Sequence, residues 1–580
     1  MTSRHRNPFE YEQATKFTNE ELVDYYIEDF NYSRFVSSKR NVLLVGERGT
    51  GKTMTFLYHS LPVQRAKAQK SGEEFDPTTI SIYVPCNTPL THRREHDLLD
   101  PLTAALISEH FLVTSIMHAT AKAIEVIADL LPEGAEDDLR TEIGYVLNID
   151  IPKGIPFFRR LSLALDRASV QVQEALNGAQ TDIRGSFFSF NSGLRPFLAC
   201  LKQIPVLQES HFSLMIDDAH LLNRYQIRAL NSWIAYRDNA MFSIKVATTR
   251  VDAPTLETSS GGTILEGHDF TRIDLEQHYQ NRTSVFGKLA REIIGRRLKS
   301  IEVYKTPDEY FPPHPAYTEG MEEAKRDAES EAKQKFPCGT QKQWSDYVYK
   351  YAPAIYYRER SPRANLPPYA GFDLLVHLST GVIRNLLDPC WHMYDRMISE
   401  VRKKDPAVIA VRDPIPPHIQ DEIIQERSKR KWELIRHELD KTVEGCSRQQ
   451  ARFVYQLLDN LAVLFKKRLL SEISEPRAVV FTISGFDEAS HLELVDILRI
   501  AQKAQIIYTF PSAAKDSGKR EIYYVPNRIL WPQRGLDPQG QHARVSIPAD
   551  ILLAAAVNNV EIPFQGDDQS NEPDLFAGTD

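Results

Sequence analysis

The sequence predicts an α/β chain: a parallel sheet covered by helices, then a mainly helical region, then a small helix-and-hairpin module. Three observations lead there. A glycine-rich loop stands between a short apolar run and a helical segment. A second apolar run ends in two adjacent aspartates. Near residue 446 the pattern changes to two helices followed by two alternating runs.

The first run is Asn41-Val42-Leu43-Leu44-Val45, five residues suited to a strand buried on both faces. The loop after it is Gly46-Glu47-Arg48-Gly49-Thr50-Gly51-Lys52-Thr53. Its spacing is that of a P-loop, the Walker A pattern. Glycines let backbone N–H groups curl around phosphate oxygens. Lys52 offers a cation to the β- and γ-phosphates, and Thr53 offers a hydroxyl to Mg²⁺. Met54 begins the helical continuation over 54–60, whose positive end faces the phosphates. Gly46 to Met54 are therefore the candidate ATP-binding residues.

Residues 79–84 form the next strand candidate, and Asn87 just beyond it is a candidate switch residue. The segment 88–191 is a long insertion with helical patterning over 98–131. The run 211–216 ends in Asp217-Asp218. A carboxylate at this point holds magnesium in P-loop ATPases, and the next polarises the attacking water. Asp217 takes the first role and Asp218 the second. Aspartate is one methylene shorter than the glutamate often found at the second position, so slow hydrolysis is expected.

The strand candidate 242–247 ends in Thr248-Thr249-Arg250, where Thr249 and Arg250 would meet the γ-phosphate. Residues 271–275 complete five strand candidates. A helical lid follows over 276–445 and contains Ser379-Thr380-Gly381-Val382-Ile383-Arg384-Asn385-Leu386-Leu387. From 446 the order is helix (447–472), strand (478–483), helix (487–505), and the runs 506–510 and 521–525 around a polar loop. That order describes a winged helix. The loop carries Lys515, Lys519 and Arg520, suited to DNA phosphates. Glu493 and Asp496 stand beside Arg499 and Lys503 on the second helix, a mixture poor for base readout. DNA and protein both stay open as partners of this module.

These motifs together resemble the origin-recognition and replication-initiator branch of AAA+ ATPases, and its STAND neighbours. Thr248-Thr249-Arg250 is similar to the sensor of NB-ARC-type STAND proteins. The Gly381 to Arg384 spacing resembles sensor 2 of initiators, which implies that Arg384 meets the nucleotide. The runs Asn7-Pro8-Phe9 and 40–49 look like bacterial initiator-like ATPases, often associated with defence against phage. The resemblance implies a P-loop NTPase core of the AAA+/ASCE class with helical lid and C-terminal winged helix. It implies an ATP/ADP switch, nucleotide-dependent oligomers and, in a defence setting, a separate protein effector. One departure is that residues 251–270 contain no Lys or Arg, so a ring-type arginine finger has no source there.

Bulk properties agree. The chain has 580 residues, a formal net charge of -8, and 42% hydrophobic against 26% charged residues. That is ordinary for a globular chain and argues against a generally cationic surface. The five cysteines are scattered without C-x-x-C spacing, as in reduced thiols of a cytoplasmic protein. No leader pattern and no uninterrupted membrane-length apolar run is present, so no membrane partner is expected. The expected domains are 1–40 (a helical segment near the nucleotide entrance), 41–275, 276–445, 446–550 and an acidic, disordered tail over 551–580.

Overall fold

The computed structural model describes residues 7–10, 13–28, 32–86, 99–153, 156–178, 187–236, 241–251, 253–275, 284–360, 367–473, 476–511, 522–540 and 543–564. The chain divides into two compact units. One is Glu12–Glu276; the other joins Met1–Tyr11 to Gln277–Asp580.

The first unit is built on five parallel strands: β1 (Val42–Val45), β2 (Thr79–Pro85), β3 (His211–Asp217), β4 (Phe242–Thr248) and β5 (Thr271–Asp274). Their spatial order is β2-β3-β4-β1-β5. One strand, β4, thus separates the P-loop strand from the strand carrying Asp217, as the ASCE class requires. Every residue of β3 and β4 is buried, the polar Ser213, Ser243 and Lys245 included.

Side chains alternate across the sheet. Phe212, Leu214 and Ile216 enter one core with Ile80, Ile82 and Val84. Met215 enters a smaller one with Leu44, Ala247 and Phe56 of the P-loop helix, Lys52–His59. The larger core is filled by helices of the segment after β2. Pro101–Glu125 buries Ile107, Phe111, Ile116 and Ile124 there. Each buried side chain of this kind contributes roughly 1.5–3 kcal/mol. The described helices of the segment 88–191, with Ala135–Leu147 and Phe157–Asn177 beside the long helix, therefore share this core with helices Arg195–Leu201 and Arg224–Ala235. By length and hydropathy Pro101–Glu125 would also suit a membrane, but 56% of its most apolar window is buried inside the protein.

The second unit is mainly helical. Its C-terminal part carries β6 (Val480–Ser484), β7 (Ile507–Pro511), β8 (Ile522–Pro526) and β9 (Arg544–Pro548), in the order β7-β8-β6-β9. β8 is antiparallel to both β7 and β6, whereas β9 adds to β6 in parallel. Helix Arg448–Leu470 precedes β6, and Leu492–Lys503 precedes the β7–β8 pair. This module shares a core with the preceding helices: Trp432 and Ile435 bury with Phe453, Leu457 and Trp531. Residues 7–10 also belong to this unit. Phe9 is fully buried against Tyr310, Phe311 and Tyr394, and Asn7 donates to the Trp391 carbonyl at 2.8 Å. The following helix, Asn19–Tyr25, lies instead in the sheet-bearing unit, where Tyr26 stacks on Tyr58 at 4.1 Å.

Candidate nucleotide site

The loop after β1 is shaped by its glycines. Gly49 and Gly51 have φ of 90° and 101°, the left-handed region that costs other residues about 1–2 kcal/mol. A Cβ on Gly46 would meet Thr50 Oγ1 at 2.8 Å. Gly46 N–H donates to the Thr248 carbonyl at 3.2 Å, tying the loop to the end of β4. Lys52 is buried, and its Nζ donates to the carbonyls of Gly46 at 2.6 Å and Glu47 at 3.1 Å. Thr50 Oγ1 donates to the Glu47 carbonyl at 2.8 Å. Arg48 is exposed, and Met54 packs toward Leu22, Tyr26 and Tyr58.

The Glu47 side chain turns away from the loop mouth. Its Oε1 accepts the backbone N–H of Arg250 at 3.2 Å and of Val251 at 3.3 Å. Burial raises its carboxyl above the usual range, and those two N–H groups and Lys52 oppose the rise. The phosphate loop thus braces the turn after β4. Thr249 is buried in that turn, and Arg250 pairs with Asp274 at the end of β5.

Asp217 ends β3 and is 1% exposed. Burial and the neighbouring Asp218 push its carboxyl up to about 6; a Thr53 hydrogen bond, Lys52 and Tyr83 favour its charged form. Tyr83 from β2 donates its hydroxyl to Asp217 Oδ2 at 3.1 Å. Asp218 has φ of 53° and donates its backbone N–H to Asp217 Oδ1 at 3.0 Å. Its side chain therefore leaves the strand direction while Asp217 stays beneath the loop.

The fold brings Gly46 to Met54, Asp217, Asp218, Thr249 and Arg250 to the C-terminal edge of one sheet. This donor set fits a magnesium nucleotide. A desolvated carboxylate, an adjacent hydroxyl and a buried ammonium converge below a loop of backbone N–H groups at a helix N-terminus. Among the described residues no cluster of three or more His, Cys, Asp or Glu is placed to hold a metal. Arg384 belongs to the other unit, in the first turn of helix Ile383–Lys404. Thr380 and Gly381 before it have φ of 53° and 77°, and Asn385 donates to Ser379 O and to Tyr508. Asn87, Lys515, Lys519 and Arg520 lie outside the described residues.

Two contributors escaped the sequence reading. Tyr83 looks like an ordinary strand aromatic, and Asp274 like the polar end of a short strand. Both acquire their place only when β2 and β5 pair with their neighbours.

Residues 7–547 match the family model described as ORC-CDC6-like. Comparison with curated proteins gives no match. Among solved structures, the crystal structure of Cdc6p from Pyrobaculum aerophilum is similar to this chain at 12% identity. That match covers 95% of this chain and 96% of that chain, with a TM-score of 0.28.

Proposed function

The chain belongs to the ORC-CDC6-like family, and from that premise we propose that it is a slow ATPase that works as a nucleotide-controlled, initiator-like switch in the cytoplasm. The observation that carries this reading is the convergence of Lys52, Thr53 and Asp217 beneath the phosphate loop. In this reading Thr53 and Asp217 would hold magnesium, which when bound neutralises phosphate charge. Lys52 binds the β- and γ-phosphates. Asp218 orients and deprotonates the attacking water. Thr249 and Arg250 sense the γ-phosphate from the turn that Glu47 braces, and Arg384 is the sensor on the lid.

The C-terminal helix, strand, helix and hairpin we read as a winged helix that engages duplex DNA through Lys515, Lys519 and Arg520. A second reading is favoured by one observation. The solvent face of Leu492–Lys503 shows Leu492, Glu493 and Asp496 beside Arg499, and Leu492 is 68% exposed. An acidic and apolar face suits a protein better than a phosphate backbone. In that reading the switch assembles with a protein effector, as in antiphage defence, through nucleotide-dependent oligomers.

Phosphate release by purified protein, with and without duplex DNA, tests the proposal beside Lys52→Ala and Asp218→Asn. Lys52→Ala should lose ATP binding; Asp218→Asn should bind ATP and not hydrolyse it. Stimulation by DNA that disappears at high salt supports the DNA reading. Turnover indifferent to DNA supports the effector reading. Normal hydrolysis by Asp218→Asn would overturn the role given to that residue.

A further inference from the structure

A cavity of about 530 Å³ lies in the sheet-bearing unit, beside the edge strand β2. Helix Pro101–Glu125 contributes Phe111, Ser115, His118 and Lys122; helix Phe157–Asn177 contributes Asp166; β2 contributes Tyr83. None of residues 46–53, Asp217, Asp218, Thr249 or Arg250 is among the described residues that line it. The cavity is nevertheless coupled to them, because the hydroxyl of Tyr83 is the group that donates to Asp217 Oδ2 at 3.1 Å.

The volume falls within the roughly 300–1,000 Å³ typical of small-molecule sites. Three aromatic side chains, Tyr83, Phe111 and His118, are among the lining residues, and aromatic rings favour planar, aromatic bodies. Ser115 and Asp166 offer hydrogen bonds, and Asp166 accepts N–H donors. The charge is wrong for a polyphosphate. Lys122 at the exposed rim is the one Lys or Arg among the described lining residues, and Asp166 opposes it. His118 lies 3.3 Å from Asp166, yet burial holds it below its ordinary value, so it adds no cation at neutral pH.

We propose that this cavity is a second ligand site that takes a neutral, planar nitrogen heterocycle of nucleoside size, and that Tyr83 transmits its occupancy to the carboxylate of Asp217. The transmission rests on the ATPase reading above; the binding does not.

Calorimetric titration separates the two. Full-length protein is saturated with magnesium and a non-hydrolysable ATP analogue, which fills the phosphate-loop site. It is then titrated with adenosine, guanosine, cytidine and uridine. At least one should bind with a Kd below about 1 mM. Ser115→Trp, which fills the cavity, should abolish that binding. Asp166→Asn, a half-exposed change that leaves the core alone, should weaken it about tenfold. In phosphate release, the nucleoside should alter the rate of the parent protein and leave that of Tyr83→Phe unaltered, although Tyr83→Phe still binds it. Absence of binding by all four nucleosides at several millimolar overturns the site. So does binding that neither Ser115→Trp nor Asp166→Asn weakens. A nucleoside that changes Tyr83→Phe and the parent equally overturns the role of Tyr83. Binding without phosphate release in any variant means that the ATPase reading has failed and the site has not.

Discussion

The carboxylate of Glu47, inside the phosphate loop, accepts the backbone N–H of Arg250 at 3.2 Å across the sheet edge. The loop that would hold phosphate and the turn that would sense it are therefore one hydrogen-bonded body. Glu47→Ala leaves the part-buried N–H groups of Arg250 and Val251 without this acceptor. Each such group costs about 1–3 kcal/mol. The urea midpoint should fall accordingly, and ATP affinity with it. Glu47→Gln keeps an acceptor oxygen and should lose less. Equal stability of Glu47→Ala and the parent would remove the bracing role.

Gly51 caps the P-loop helix with φ of 101°. Gly51→Ala should weaken ATP binding by at least about tenfold, because the strain of about 1–2 kcal/mol falls on the loop that must wrap the phosphates. Binding of a fluorescent ATP analogue measures it. Unchanged affinity would mean that the loop does not need this backbone when occupied.

Arg250 is paired with Asp274. To reach a γ-phosphate it must give up that partner, and a partly exposed pair is worth about 0.2–1 kcal/mol. Asp274→Asn should therefore raise ATP affinity by roughly 1.4- to fivefold. ADP affinity, lacking the γ-phosphate, should stay constant. Calorimetry with both nucleotides checks this, and a gain that persists with Arg250→Ala added would show a different origin.

His59 ends the P-loop helix and shares a hydrogen bond of 2.9 Å with Ser33. Burial lowers its pKa to about 4, whereas an unfolded histidine titrates near 6.5. The unfolded chain therefore takes up the proton first. Stability is complete above pH 6.5 and is lost as pH falls through that value toward 4, by about 1–3 kcal/mol. His59→Gln should flatten this part of the pH–stability curve. A slope that survives the substitution would assign it to other groups.

Asn385, next to Arg384, donates to the hydroxyl of Tyr508 in β7 at 3.0 Å. Tyr508→Phe removes one neutral hydrogen bond between helix Ile383–Lys404 and the C-terminal sheet. It should lower the unfolding free energy by about 1 kcal/mol. Chemical denaturation followed by tryptophan fluorescence reads the change. A loss repeated in full when Asn385→Ala is added would show that the two residues act separately.

The motifs were legible in the sequence because phosphate chemistry requires neighbours along the chain. Gly46 to Thr53 must be contiguous for N–H groups to converge on one anion, and Asp217 must follow an apolar strand to arrive below them. The strand candidates 79–84, 211–216 and 242–247 were likewise legible from their apolar residues, and so was the helix-then-hairpin order of the C-terminal module. The contacts that join these parts are a different matter. Glu47 and Arg250 are 203 residues apart, and Tyr83 and Asp217 are 134 apart. No local period connects such pairs. The assignment of residues 7–10 to the helical unit, the packing of helices of the segment after β2 into the core beside the sheet, and the parallel pairing of β9 with β6 have the same origin. Each depends on which surfaces meet after the strands have paired. Local chemistry marked out the candidate phosphate-binding parts of this protein, and tertiary packing alone decided which side chains hold them in place.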